Sequence, residues 1–455
     1  MTTLLAKHIH TLVTMDDDRR EIKDGALYVR DGVIQFVGAM ADLPDDMTRA
    51  DEVLDLPKHI VIPGLINTHH HMFQSLTRVI AQDSELFGWL KSLYPIWMNL
   101  TGAMIYTSAQ MAMSELMLSG VTSSSDHLYL YPNDVKLEDT IRAAQDIGMR
   151  FHPTRGAMSL GESKGGLPPD ALVESDENAI LADMRHLVEM YHDANRYSML
   201  HIGIAPCAPF TVSQDLMRES AALARSYKVR LHTHLAENIS DIEYSLEHFG
   251  MRPGDYAEDI GWVGDDVWHA HCVQLDDNEI GLFARTGTGV CHCPGSNMRL
   301  ASGIPPIRQM RDAGVKVGLG VDGSASNDSG DLLNEARMAM LLQRVSGTPD
   351  PSRMSAREAL ELATLGGASV LGRDDIGALK PNMAADFAAY RVDNPVFAGA
   401  QHDLVAALIF CQTAKVDLSV INGNVVIKEG HLVTVDLPLL VEQHNGYAKT
   451  LIDGD

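Results

Sequence analysis

The chain has 455 residues, 45% of them hydrophobic and 21% charged, enough for a large α/β core plus a smaller unit. A formal net charge of −25 would repel a phosphate backbone over most of the surface, so no nucleic-acid partner is expected, whereas small neutral molecules stay open. Five cysteines are too few for a disulfide framework and suit a reducing cytoplasm, and no signal peptide or membrane-spanning run is legible, so no membrane partner is expected.

In chain order, residues 1–63 alternate short strand-like runs with turns, as in "GALYVRDGVIQFVG". Residues 64–379 repeat short apolar runs that end in polar or histidine residues. The runs are "HIVIPGLINTHHH", "GVTSSSDHL", "MRFHPTRGA", "MLHIGIAPCAP", "VRLHTHLAE", "DVWHAHCVQ", "TGVCHCPGSN" and "VKVGLGVDGSASN". Helical stretches such as "ENAILADMRHLVEMYHDA" separate them. Strand and helix in eightfold alternation predict a (β/α)8 barrel of the TIM type, with its chemistry at the C-terminal strand ends. Residues 380–455 return to strands, with "NGN" as a hairpin turn, and close on a helix with one solvent face. The two ends are expected to build one small composite β-sandwich.

Side chains alternate along a strand, so His69 and His71 share a face and His70 points away. One such pair is a weak signal, since a polar strand end explains it equally well. Further chemistry sits on the other strand ends. "HTHLAE" offers His232, His234 and Glu237, the last only if the strand ends and the backbone turns there. "WHAHCV" offers His269 and His271, and "GLGVDGSASN" offers Asp322 between glycines. Three imidazoles and a carboxylate suit one divalent zinc or iron(II) ion, with a carboxylate and a histidine beside it to move protons. Each residue alone is more simply a satisfied structural group. All of them on the first, fifth, sixth and eighth runs are not.

"PGLINTHHH", "HTHLAE", "HAHCV" and "GVDGSASN" together resemble the amidohydrolase superfamily, in its aminohydrolase and chlorohydrolase branch, over essentially the whole chain. The resemblance implies His69, His71, His234 and Asp322 as metal ligands. It implies Glu237, His271 and Asp322 as catalytic residues. His70 would not bind, and His232 and His269 would be supporting residues. Two-metal members carry a lysine at the end of the fourth strand, and this run has none, so one metal is expected, zinc before iron. The implied reaction is hydrolytic deamination. Asp322 and His271 take or orient the proton of a water, which attacks the amine-bearing ring carbon. Glu237 protonates the adjacent ring nitrogen and ammonia leaves. The resemblance also implies a homo-oligomer.

"HMFQSLTRVIAQDSELFGWLKSLYPIW", "DHLYLYP", "RGAMS" and "APCAPFTVS" look like the 8-oxoguanine deaminase group, which would make the substrate a small purine-like molecule. Cys207 stands where many members of the branch carry a histidine, which argues against a nucleoside. The residues read in the same sense. Gln74 offers a donor and an acceptor to an amide-like ring edge. Arg155 could donate to a ring carbonyl, and Tyr129 could stack or donate. Trp89, Phe87 and Trp97 could cover a flat base, or simply pack on the barrel. Asn297, Asp126 and His127 are candidates to shape or support the site. Cys291 and Cys293 flank His292, but without further thiols they read as structural. Guanine, a pteridine such as isoxanthopterin, an amino- or chlorotriazine, and a non-catalytic barrel are the alternatives.

Overall fold

The computed structural model describes residues 1–411 and 415–454. Strands β1 (Leu65–Asn67), β2 (Val121–Leu128), β3 (Arg150–Ala157), β4 (Gly203–Pro206), β5 (Leu231–Leu235), β6 (Val267–His271), β7 (Gly289–His292) and β8 (Lys316–Leu319) form a closed parallel barrel. Each of the eight apolar runs supplies one of them. Closure is made by β8 on β1, where Leu319 pairs with Asn67. All eight strands are almost wholly buried, as expected when helices cover the outside and side chains fill the inside.

Strands from both chain ends join in one nine-stranded sheet beside the barrel. Thr3–Val13 is central, with Glu21–Arg30 antiparallel on one flank and His59–Pro63 parallel on the other. His59–Pro63 then pairs antiparallel with Phe387–Arg391, which stitches the C-terminal strands to the N-terminal ones. The sheet curls back on itself: Val33 bridges Ala384, and the Ile34 N–H donates to the Met383 carbonyl at 2.9 Å. Leu27, Val29, Phe387 and Val420 share the core that results.

Two tight turns meet at this seam. Asp31-Gly32 and Asn422-Gly423 both have positive φ at each residue, the geometry of a type I′ hairpin. A Cβ on Gly32 would stand 2.9 Å from the Asn422 carbonyl oxygen, so glycine is required there for space as well as for backbone angle.

Barrel and sheet are joined by a buried ion pair. Arg150, at the start of β3, donates through Nε and Nη2 to both Asp386 oxygens at 2.7 and 3.0 Å. Its Nη1 donates to the Tyr197 and Ser198 carbonyls. The C-terminal helix, Leu437–Asp453, packs on helix Gly102–Leu118 and on the segment Met72–Thr77 after β1. His444 on that helix meets the Ser75 hydroxyl at 3.0 Å, while Leu439, Val441 and Ile452 face solvent.

Candidate metal centre and active site

The groups singled out at the strand ends converge at one mouth of the barrel. Strand β1 stops at Asn67, and the alternation persists just past it, so His69 and His71 turn inward. Both ring nitrogens of His70 are buried without a hydrogen-bond partner, away from the cluster. Strand β5 stops at Leu235. Ala236 then adopts φ +52°, which swings Glu237 back toward the mouth. His271 and Asp322 also have positive φ, at +72° and +63°. Such angles are costly for non-glycine residues and concentrate where side chains must be aimed against the run of the backbone.

His71 Nε2 stands 3.1 Å from His234 Nε2 and 3.4 Å from Asp322 Oδ1. His69 Nε2 is 3.2 Å from Asp322 Oδ1 and has no well-formed hydrogen bond. Donor atoms on one tetrahedral ion at about 2.1 Å lie about 3.4 Å apart, so these separations fit a single small cation. The far nitrogens are tied up. His71 Nδ1 is 2.8 Å from the His127 carbonyl, and His234 Nδ1 is 2.6 Å from the Cys207 carbonyl. A carbonyl only accepts, so both protons sit on Nδ1 and both Nε2 lone pairs face inward. Burial holds His69 and His71 below the ordinary imidazole pKa and pushes His234 down to about 3, which keeps all three neutral. Asp322 is the buried carboxylate of the set and lies against His69, His71 and His271. The residues present therefore fit a divalent ion.

Glu237 and His271 stand beside this cluster. His271 Nε2 is 3.5 Å from Glu237 Oε2 and 3.8 Å from Asp322 Oδ2, and its Nδ1 is fixed by Asn297 at 2.9 Å. Burial raises Glu237 to about 7, with Asp241 and Asp322 adding to it, so its carboxyl can both give and take a proton near neutrality. Burial works against charge on His271, but Glu237 and Asp322 outweigh it and raise its pKa. The two groups are thus electrostatically coupled across the site.

A cleft of about 520 Å³, counted out to its open mouth, leads to these residues. Gln74, Trp89, Tyr129 and Cys207 line it, with His71, His234, Glu237, His271 and Asp322 at its base. Gln74 Nε2 donates to the Tyr129 hydroxyl at 3.3 Å, and Gln74 Oε1 has no partner. Trp89 donates from its indole to the Ala325 carbonyl.

Arg155 is not brought to the cleft. Its guanidinium is buried among Glu174 and Asp183, at 2.7 to 2.8 Å, and lies over the Tyr131 ring. Leu128 and Arg155 are register partners on β2 and β3, so Arg155 lies on the outward face and anchors the 158–174 segment. Phe87 packs on Phe210 at the rim, and Trp97 is buried behind Phe73 and Trp89. His232 supports His69, while His269 is turned away to the Trp262 carbonyl. Asp126 holds the Met72 N–H, and His127 lends its carbonyl to His71 and stacks its ring on His234. Cys291 and Cys293 are buried with their sulfurs 3.6 Å apart.

Leu86, Leu90, Tyr94, Phe210, Leu300 and Asp241 also line the cleft and were not singled out from the sequence. Leu86, Leu90 and Tyr94 share with Trp89 the buried stripe of helix Leu86–Trp97, and that 3–4 spacing was a signal available in the sequence. Asp241 carries no such signal, because its helix, Ile239–Phe249, reads as ordinary barrel cover.

A closed parallel barrel with histidines and carboxylates meeting at its C-terminal strand ends is the architecture of a metal-dependent barrel hydrolase. The amidohydrolase family model matches residues 60–426, and the chain belongs to that family. It is an enzyme that hydrolyses carbon–nitrogen bonds. The chain is 42% identical to the 8-oxoguanine deaminase of Pseudomonas aeruginosa, over 94% of this chain and 95% of that protein. It is 37% identical to the hydroxydechloroatrazine ethylaminohydrolase of Pseudomonas sp. strain ADP, over 100% of this chain and 97% of that one. The crystal structure of atrazine chlorohydrolase from Arthrobacter aurescens TC1 complexed with zinc superposes with a TM-score of 0.93 at 34% identity, covering 98% of this chain and 100% of the other.

Proposed function

We propose that this protein is a zinc-dependent hydrolytic deaminase of a free purine base, with 8-oxoguanine as substrate and urate and ammonia as products. The observation that carries the reaction is the pairing of Glu237, held near neutral pKa, with His271 and Asp322 at the base of the cleft. The 42% identity to an 8-oxoguanine deaminase supports the choice of ring.

His69, His71, His234 and Asp322 would hold the ion, and zinc in the related atrazine chlorohydrolase supports that metal over iron. Bound there, it would supply a Lewis acid that makes water nucleophilic at neutral pH. Asp322 Oδ2 and His271 Nε2 take up the water proton as its oxygen adds to the amine-bearing carbon. Glu237 gives its proton to the neighbouring ring nitrogen, so no negative charge builds there. The proton held by His271 and Asp322 then passes to the amine, the carbon–nitrogen bond breaks, ammonia leaves, and the new hydroxyl returns its proton to Glu237 as it becomes the ring carbonyl. Trp89, Leu90, Tyr94 and Phe210 provide the apolar walls for a flat ring.

The protein acts on small molecules, and we read it as a cytoplasmic homo-oligomer without nucleic-acid or membrane partners. Five unpaired cysteines and the net charge of −25 support that reading. No helix among the described residues is long and apolar enough to cross a membrane.

The test is ammonia release by the zinc-loaded enzyme from 8-oxoguanine, guanine, isoxanthopterin, cytosine, adenosine and an aminotriazine. Preference for 8-oxoguanine is expected. Preference for the triazine would favour the second reading, which the two triazine-acting relatives support. No ammonia from any ring, with metal bound, would overturn the deaminase assignment.

A further inference from the structure

Asp241 has two oxygens with different surroundings. Oδ2 accepts the Glu237 backbone N–H at 2.8 Å, which fixes the turn that presents Glu237. Oδ1 is buried and makes no well-formed hydrogen bond, while the Asn238 N–H also holds the carboxyl down. The side chain is 8% exposed and lines the cleft beside Glu237 and His271. A buried carboxylate oxygen without a well-formed hydrogen bond is costly, and the residue that carries it lines the substrate cleft. Burial raises Asp241 to about 6, still below neutrality, so it is predominantly an acceptor at neutral pH.

The rest of the lining narrows what could meet it. Among the described residues no lysine or arginine lines the cleft, and Arg155 is committed to Glu174 and Asp183. Gln74 Oε1 is a second buried acceptor without a partner. A phosphate or carboxylate on the substrate would face Asp241, Glu237 and Asp322 with no cation to offset them. A neutral ring bearing N–H donors is the complementary ligand.

We propose that Asp241 is a specificity-determining residue, whose Oδ1 accepts a hydrogen bond from a ring N–H of the substrate while Oδ2 holds Glu237. The inference rests on the deaminase reading of the cleft. It selects rings with an N–H at the bonded edge over their N-alkylated or anionic counterparts.

Asp241→Asn separates the two duties. The Glu237 N–H needs an acceptor, so the amide oxygen takes that place and the NH2 group replaces the free acceptor. Asp241→Ala removes both. Steady-state constants would be measured for wild type and both variants with 8-oxoguanine and its N7-methyl and N9-methyl derivatives, and calorimetric affinities with urate and its methylated forms. With Asp241→Asn, KM and the dissociation constant rise about 10–100-fold for the N–H compound, the loss of a hydrogen bond to a charged group. For one methylated isomer, which wild type already binds poorly, the change in KM and dissociation constant is small. Asp241→Ala additionally lowers kcat. Equal effects of Asp241→Asn on N–H and N-methyl members, or none on either, would overturn the inference and leave Asp241 a support for Glu237. The N–H to N-methyl ratio can be read on any ring the wild type turns over, so a different preferred ring would not mask the result. If wild type turns over nothing, the deaminase reading fails separately. Calorimetry then decides Asp241, and absence of binding by every member of the series overturns it too.

Discussion

His69 Nδ1 lies 2.8 Å from His232 Nε2, and His232 Nδ1 lies 3.0 Å from the Trp268 carbonyl. The carbonyl only accepts, so the His232 proton is on Nδ1 and its Nε2 is an acceptor. His69 Nδ1 must then carry the proton that joins them, and His69 Nε2 presents its lone pair to the cluster. His232 lies beside His234 as well, but its hydrogen bond goes to His69, whose tautomer it decides. His232→Ala is expected to weaken zinc binding by about 10–100-fold with the fold retained. Competition with a chromophoric chelator measures this, and unchanged affinity would refute the relay.

Glu237→Gln keeps the size and the backbone tether to Asp241 but removes the titrating carboxyl. Metal stoichiometry should remain that of wild type while kcat falls about 10²–10⁴-fold. A metal-replete variant with wild-type turnover would remove Glu237 from the proton path.

Arg155 ties the 158–174 segment through Glu174 and helix Glu177–Tyr191 through Asp183, and does not line the cleft. Arg155→Met should destabilise the protein by about 1.5–3 kcal/mol, the worth of charge-assisted hydrogen bonds at a buried site. The ranking of ring substrates should stay as in wild type. A changed ranking without lost stability would return Arg155 to the substrate site.

Arg150→Met leaves Asp386 buried and unpaired, at a cost of about 3–5 kcal/mol in urea denaturation. Replacing both, as in Arg150→Met with Asp386→Leu, should recover much of that loss. A single variant as stable as wild type would show that water reaches the pair.

Asp375 adds a pH dependence at the same seam. Burial would raise its carboxyl, but Arg373, the Tyr197 N–H and Arg150 bring it down to about 2. Its folded pKa lies below the unfolded value of 3.8, so its stabilisation is complete above about pH 4. That contribution fades as the pH falls toward 2. Between pH 5 and 3 the stability of Asp375→Asn should therefore fall less steeply than that of wild type. Parallel slopes would show that Asp375 is not held in this way.

The barrel is legible in the sequence because each strand is a short apolar run capped by polar residues, and the helices between them show their own spacing. The terminal sheet is legible for a similar reason: "RDGV" and "INGN" mark type I′ turns between alternating runs. The histidine pairs are legible because they lie two apart, where strand geometry aligns them. Asp241 and His232 show no comparable pattern. One sits on a helix whose neighbours resemble any covering helix, and the other is an inward position like many in a barrel. Arg155 misleads, since a polar residue near a strand end can face either way.

By itself, then, the sequence determines the order of elements, the two-residue spacing of the candidate ligands and the absence of a fourth-strand lysine. These are local properties, and short-range periodicity and residue type encode them. Only the tertiary structure decides which nitrogen of each histidine faces inward, that Glu237 returns to the site through Ala236, and that Arg155 is turned away. Those outcomes depend on partners 19 to 254 residues distant, such as Trp268 for His232, Glu174 for Arg155 and Asn67 for the strand before Asp322. Which acceptor a buried donor finds is settled when the barrel closes, because a buried polar group takes whatever partner the packed neighbours place beside it.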